Sequence, residues 1–444
     1  MVDTALQRLV SPKTDVFRSL YIRRRLDNSS GDYETSWFDI TDRVKKWGHL
    51  TWTIDETKLN YFQPGGISVK CQNNDGAFDD ERNGVSLWYG YLTRYKTLVR
   101  IDAGFLEPTT TSIAIPPDTT TAAINSSSVQ FIGVLTEPII SSDENEVALS
   151  CKSMASILEE IPANLLIIAS AGGAGTGQLT ASNLMTRMRD VTDGSSNFIA
   201  QKFITTGAWS ITSHLQTLTT LNTSTQLDGM NCWDLAKKLA ETTNYAVWIT
   251  RIGGLNFNPK TEGGTTVFEF YGIPFNNGTY GHTIKRIMAL GEDLDNLYNR
   301  IRIKFGETDT STSYIIKASA WIVGDSTTSW KYGVRTLEFN NSWMAQTTAD
   351  NVASTLLSDH NSIKRKLEIE CKFIPMLNIL DKTIIRYDPK GEGIPRWDVA
   401  LWNQAVWPRE PGPIYNVHPR DWKVIGLSHK MDEFETNIIL KEIT

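Results

Sequence analysis

The chain has 444 residues, more than one core organises, since domains cluster near roughly 100–150 residues and single cores stop growing beyond about 250–300. Its 44 Lys and Arg against 50 Asp and Glu give a net charge of −6, with 40% hydrophobic and 21% charged residues, which excludes disorder, collagen and coiled coil as whole-chain descriptions. An acidic, evenly mixed chain lacks the basic stripe that holds a phosphate backbone and argues against sequence-independent nucleic-acid binding.

Residues 1–15 read as an N-terminal arm. They hold no apolar run of seven or more behind a basic start, so the expectation is synthesis in a cytoplasm without a secretory signal. Residues 16–160 read as β structure: Leu50/Trp52/Ile54, Ile67/Val69/Cys71, Val99/Ile101/Ala103 and Val147/Leu149/Cys151 alternate apolar with polar neighbours. Pro64-Gly65-Gly66, Asn73-Asn74-Asp75-Gly76 and Asp143-Glu144-Asn145 supply turns between them. Short strands at this spacing predict a small antiparallel barrel, with a long exposed Ser/Thr/Pro loop from Pro108 to Ser128.

A short helix is expected over Ser153 to Glu160, and residues 161–225 as an inserted, partly helical region. Residues 226–290 form an expected α+β middle domain. There Asn231 caps a helix whose apolar positions Cys232, Leu235, Ala236, Leu239 and Ala240 share one face, followed by strands at Tyr245 to Thr250 and Val267 to Tyr271. From 291 to 444 alternation returns at Ile301/Ile303/Phe305, Leu367/Ile369/Cys371/Phe373, Thr383 to Tyr387, Trp422 to Leu427 and Ile438 to Ile443, a second barrel with an inserted helix at 345–360. The expected fold is mainly β with an α+β insertion: two small antiparallel β-barrel domains flanking an α+β middle domain.

Motifs for chemistry are weak. Ile167 to Gln178 runs into clustered glycines, but no Lys follows the final Gly as a phosphate loop requires, and the third Gly of the dinucleotide fingerprint is replaced by Gln178. Asn73 to Gly76 imitates a calcium loop, yet Cys71 and Arg82 stand where carboxylates are needed, which leaves a turn. The six histidines never fall at i, i+4 nor share a stretch with Cys, and no Gly-x-Ser-x-Gly elbow exists. The four cysteines lie far apart and read as small buried hydrophobes. Neither an enzyme, a metal nor a cofactor is expected, and no segment reaches the roughly 20 apolar residues of a membrane span.

Several segments, taken in order, resemble the tail hub proteins of long-tailed bacteriophages, a family that includes contractile-tail baseplate hubs, tail-tip proteins and gene-transfer-agent hubs. They are Trp37 to Val44, Ile67 to Phe78, Val99 to Gly104, Phe131 to Leu135 and Val147 to Leu158, then the Trp233-to-Ala240 helix, Asp295 to Phe305, the Ala349-to-Leu357 helix, Leu380 to Ile385 and Trp422 to Ile443. The resemblance implies a structural virion protein at the tail tip, made in the host bacterial cytoplasm, in which three chains form a ring of six barrels. Such a homotrimer joins a distal tail protein or tail tube ring to a threefold tip and forms a channel for the tape-measure protein and DNA in transit. Tail spike, fibre or other tip proteins are the further partners it implies. Some relatives carry a hydrolase region after the hub; here the sequence runs to Thr444 directly after the last barrel strand, so cell-wall hydrolysis is expected from another polypeptide. The alternatives are a receptor- or glycan-binding tail protein and a distal tail adaptor.

Two apolar features stand out as candidate interfaces. Leu165, Leu166, Ile167 and Ile168 form an unusually apolar run for an insertion, expected either at a trimer axis or as a buried helix. Trp397, Trp402 and Trp407 crowd a Pro/Gly-rich stretch and suit burial or a protein interface, since indole joins large apolar area to one donor.

Overall fold

The computed structural model describes residues 16–26, 33–54, 62–79, 92, 97–105, 129–140, 145–164, 166, 179–192, 209–212, 217–218, 227, 229–259, 266–271, 283–305, 314–316, 333–341, 343, 346–386 and 421–443. The first strands in chain order are β1 (Val16–Arg24), β2 (Phe38–Asp39), β3 (Val44–Lys46), β4 (His49–Ile54), β5 (Phe62–Pro64), β6 (Ile67–Gln72), β7 (Thr97–Phe105), β8 (Val129–Ile140) and β9 (Glu146–Ser153). Seven of them make an antiparallel sheet in the order β2-β1-β7-β8-β9-β6-β3. Period-2 patterning curls it around a core: Ile67, Val69 and Cys71 of β6 point in while Ser68, Lys70 and Gln72 face out. The Asn73-to-Gly76 turn behaves as its sequence implies, with Gly76 at φ +66° and the Asn73 side chain accepting from the Phe78 amide at 2.9 Å.

β7 is buried on both faces. Val99, Ile101 and Ala103 join the barrel core, while Leu98 belongs to the neighbouring core and Arg100 and Asp102 pair beside it at 2.6 Å. That neighbouring core is built by α1 (Ala155–Leu158), α2 (Ala181–Thr192) and α3 (Cys232–Thr243). The cap of α3 is the one its sequence predicts: Asn231 accepts from the Asp234 amide at 2.8 Å, and Asn244 ends the helix in the left-handed region at φ 57°. Cys232, Leu235, Ala236, Leu239 and Ala240 are all buried. Around this core lie the pair β10 (Leu179–Thr180) and β12 (Thr217–Leu218), and a sheet of β11 (Ser210–Ile211), β13 (Tyr245–Ile249) and β14 (Leu255–Pro259) in the order β11-β14-β13.

The rest of the chain supplies β15 (Phe268–Tyr271), β16 (Ile284–Asp293), β17 (Arg300–Phe305), β18 (Tyr314–Ile316), β19 (Thr336–Asn341), α4 (Gln346–His360), β20 (Lys364–Lys372), β21 (Lys382–Arg386), β22 (Asp421–Lys430) and β23 (Glu435–Ile443). The fold is mainly β, with two large curled sheets and few helices; the second sheet runs β15-β21-β22-β23-β20-β16, with β4 and β5 attached through β22. Three strands lie elsewhere than their sequence position suggests. β4, expected in the first barrel, pairs with β22; β15 leaves the middle sheet for β21; and β17 pairs with β18 and β19 in a separate three-stranded sheet that carries α4. Alternation fixes which face of a strand is buried but not which strand pairs with it, so these placements are set by long-range contacts.

The two large sheets share one strand order. Numbering the six strands of the common path along the chain, β1-β7-β8-β9-β6-β3 reads 1-4-5-6-3-2, and so does β15-β21-β22-β23-β20-β16. Neighbours are antiparallel throughout both paths except at one end, where β15 runs parallel to β21. Each half also inserts structure between its second and third strands: the β4–β5 hairpin in the first, and β17, β18, β19 and α4 in the second.

Candidate functional site

The candidate site is the seam where the first sheet, the middle unit and the second sheet meet. β4 lies along β22 in antiparallel register from Thr53↔Gly426 to His49↔Lys430, so a strand from the N-terminal half is built into the C-terminal sheet. Beneath this seam His429 is fully buried between two aromatic rings, edge-on to Trp52 at 5.4 Å and to Phe373 at 5.0 Å, with Nδ1 2.9 Å from the Thr436 hydroxyl. Desolvation, reinforced by the charge of Arg251, holds the imidazole well below its usual 6.5.

Arg251 closes the seam from the middle unit. It sits in the turn between β13 and β14, after the apolar strand Tyr245–Ile249 and before Gly253, which takes φ +81° with Met154 and Ile132 packed beneath it. From there Nη1 donates to the Gln130 side chain of β8 at 2.8 Å and to the Pro375 carbonyl, and Nη2 donates to the Leu377 carbonyl. The guanidinium also stands over the Trp52 ring, 5.5 Å from its centroid. One side chain thus touches all three units. Burial lowers its pKa to about 10, partly offset by Asp381.

The same burial raises Asp381 to about 6. Its Oδ2 accepts from the Asn378 amide at 2.7 Å, and the preceding Leu380 holds φ 70°, a strained backbone for a branched side chain. Between these groups lies an open cavity of about 430 Å³, lined among others by Trp52, Trp248, Arg251, Asn256, Asn378 and Asp381. A second tie crosses the seam from β1: Arg18 donates to the Met431 carbonyl and contacts Asp432 at 3.3 Å, with its guanidinium over Trp47 and Phe434.

Of the residues singled out in the sequence, Leu166 is fully buried in the middle core, where its carbonyl accepts from Arg187 at 3.3 Å. Leu165, Ile167, Ile168, Trp397, Trp402 and Trp407 lie outside the described residues. All four cysteines are free and buried. Among the described residues no group of His, Cys, Asp and Glu is arranged to hold a metal ion, and no helix is long and apolar enough to cross a membrane. Sequence reasoning missed Arg251, His429 and Asp381. The one available signal was a lone Arg at the tip of an apolar hairpin, and the hydrogen-bond partners of Arg251 lie more than a hundred residues away.

No family model matches the sequence, and no curated protein matches it. Among solved structures the chain is similar to the tail protein from Neisseria meningitidis, with 8% identity over 96% of each chain and a TM-score of 0.48. It is also similar to a prophage tail protein from Listeria monocytogenes, with 12% identity over 95% of this chain and 94% of that one and a TM-score of 0.47. A third is a tail protein of prophage MuSo2 from Shewanella oneidensis, with 8% identity over 96% of each chain and a TM-score of 0.44.

Proposed function

We propose that this chain is a structural subunit of a phage-type tail tip, a hub of which three copies close a ring of six curled sheets. The observation that carries the reading is the repeated strand order 1-4-5-6-3-2 within one chain. A ring of three chains, each bearing one topology twice, presents six similar surfaces to a sixfold ring and three identical ones to a threefold tip. The sequence resemblance to tail hubs points the same way. The proposed first hub unit is residues 16–160 and the second runs from β15 to β23, with β4 exchanged across the seam and the middle unit between them.

In this reading the ring meets a distal tail protein or tail tube ring on one side and spike, fibre or other tip proteins on the other. Tape-measure protein and then DNA pass through its channel. A net charge of −6 per chain, −18 for three, does not retain a polyanion. The role is one of assembly and passage rather than catalysis, with the Arg251 junction and the β4–β22 seam keeping the two sheets of each chain in fixed relation.

The native mass of the purified chain tests the reading. Three copies of 49.8 kDa give about 149 kDa, the expected result. A hexamer favours the distal adaptor instead, and a chain that stays monomeric both alone and with its tube ring overturns the proposal.

A further inference from the structure

The two equivalent strands β8 and β22 differ along one edge. Along one edge, β22 pairs first with β21, through Asp421 to Lys423. An irregularity between Val424 and Gly426 follows on the β23 side, and from Gly426 to Lys430 the first edge is taken by β4. β8 repeats the first two steps: Val129 to Val134 pair with β7, and an irregularity between Leu135 and Pro138 follows on the β9 side. The third step is missing. From Pro138 to Ile140, β8 pairs with β9 on its far edge, and among the described residues no strand lies where β4 would stand.

Exposure follows this difference. Leu427, second after the irregularity in β22, lies opposite Trp52 of β4 and is 2% exposed. Ile139 holds the matching place in β8 and is 63% exposed, more than any other exposed large hydrophobic residue described. An edge with no partner strand among the described residues, carrying an exposed isoleucine, is a template for another strand.

We propose that the edge of β8 at Pro138 to Ile140 is filled by a strand of a second copy of this chain, donated from the segment between its β16 and β20. The donor is assigned by the repeat. β4 comes from the insert between the second and third strands of the first half and fills the slot in the second half; the equivalent insert of the second half contains the sheet β18-β17-β19, whose outer strands pair only with β17 among the described residues. One chain already supplies the contact from first insert to second slot. The contact from second insert to first slot is head-to-tail between chains, and three such contacts close a ring. The inference rests on the trimeric hub reading and specifies how that trimer is held.

The test uses the full-length protein, wild type and Ile139→Asp, with native mass measured over a concentration series and amide hydrogen exchange followed by mass spectrometry. Because Ile139 faces solvent within the chain, the variant keeps the wild-type circular dichroism. The expected result is a trimer dissociation constant raised by about 30-fold or more, as for a central interface anchor. Amides of Pro138-to-Ile140 peptides and of the segment between β16 and β20 should lose protection together, and Ile139→Val should restore both. A variant that remains as trimeric as wild type overturns this inference and leaves the hub reading standing. Protection shifting at β8 without any change between β16 and β20 overturns the assigned donor and points to a different partner. A wild type that never trimerises overturns the hub reading and this inference with it.

Discussion

The guanidinium of Arg251 stands 5.5 Å from the centroid of the Trp52 indole, and this contact joins a hairpin of the middle unit to a strand that the first half lends to the second. Around it, Gln130 belongs to the first large sheet, and the Pro375 and Leu377 carbonyls lie on the chain between β20 and β21 of the second. A single planar fork satisfies acceptors from two sheets while its own stem belongs to neither. Its removal should therefore be felt as loss of registry between units as well as loss of hydrogen bonds.

Arg251→Met leaves three acceptors without their cationic donor while preserving much of the side-chain volume. Hydrogen bonds to charged groups contribute roughly 1.5–3 kcal/mol each and are not additive, so the expected loss is about 3 kcal/mol, read from urea unfolding. Arg251→Lys should recover little, because an ammonium cannot span two carbonyls and stack on an indole with one planar group. Full recovery by Lys would show that charge alone matters there.

Two groups at the seam bend the pH dependence in opposite directions. His429 is held well below 6.5 in the folded chain, so below about pH 6.5 the unfolded chain takes up the proton first and stability falls with pH. Asp381 is raised from 3.8 to about 6, so between these values the folded chain takes up the proton first and stability rises as pH falls. Unfolding midpoints at pH 7, 6 and 5 separate them: His429→Asn should make the decline toward pH 5 shallower, and Asp381→Asn should make it steeper. A slope unchanged in both variants would remove these groups from the acid response.

Local rules were legible in the sequence where a residue acts on its own neighbourhood. Asn231 capped α3 and the stripe from Cys232 to Ala240 was buried, because capping and helical spacing need only a few consecutive residues. Alternation likewise marked the strands Ile67 to Cys71 and Val147 to Cys151. The seam was not legible. Leu50 and Trp52 alternate as well in the second sheet as in the first, and nothing local to Trp52 names Leu427, which lies 375 residues further on, as its partner. Arg251 and Asp381 escaped notice for the same reason: each acquires its meaning from burial that only the assembled junction creates. The shared strand order was equally hidden, since it is a property of pairing and leaves no short-period repeat.

The Arg100–Asp102 pair is nearly sealed from solvent, with side chains 1% and 0% exposed and two contacts of 2.8 and 2.6 Å. Arg100 also stacks against Tyr21 and Trp37. Asp102→Ala leaves a buried cation without its carboxylate and should cost about 3–5 kcal/mol. The double variant Arg100→Met with Asp102→Leu removes both charges and should lie closer to wild type than Asp102→Ala does, because desolvation no longer has to be offset. A double variant as unstable as the single one would mean that the pair contributes through geometry the apolar residues do not reproduce.

β8 and β22 each place a glycine beside the partner strand, Gly133 opposite Ser153 and Gly426 opposite Ile439. A Cβ at Gly133 would stand 2.2 Å from the Lys152 carbonyl oxygen and 2.4 Å from the Phe131 ring; at Gly426 it would meet the Ile439 side chain at 3.0 Å. The first obstacle is backbone far inside contact distance, whereas the second, Cδ1, Cβ and Cγ1 of Ile439 at 3.0 to 3.1 Å, needs a shift of only a few tenths of an ångström. Gly133→Ala should therefore lose more stability than Gly426→Ala, about 2 kcal/mol or more for the former, in the range of overpacked cores. Gly291 in the outer strand β16 is the control. Its added Cβ would have open space within 4 Å, and its φ lies outside the left-handed region, so Gly291→Ala should be neutral or raise stability by up to about 1 kcal/mol through the unfolded state. Thermal midpoints ordered Gly291→Ala, Gly426→Ala, Gly133→Ala from highest to lowest are the expected outcome. Equal losses at Gly133 and Gly426 would mean that the two sheets relax alike around their glycines despite the different obstacles.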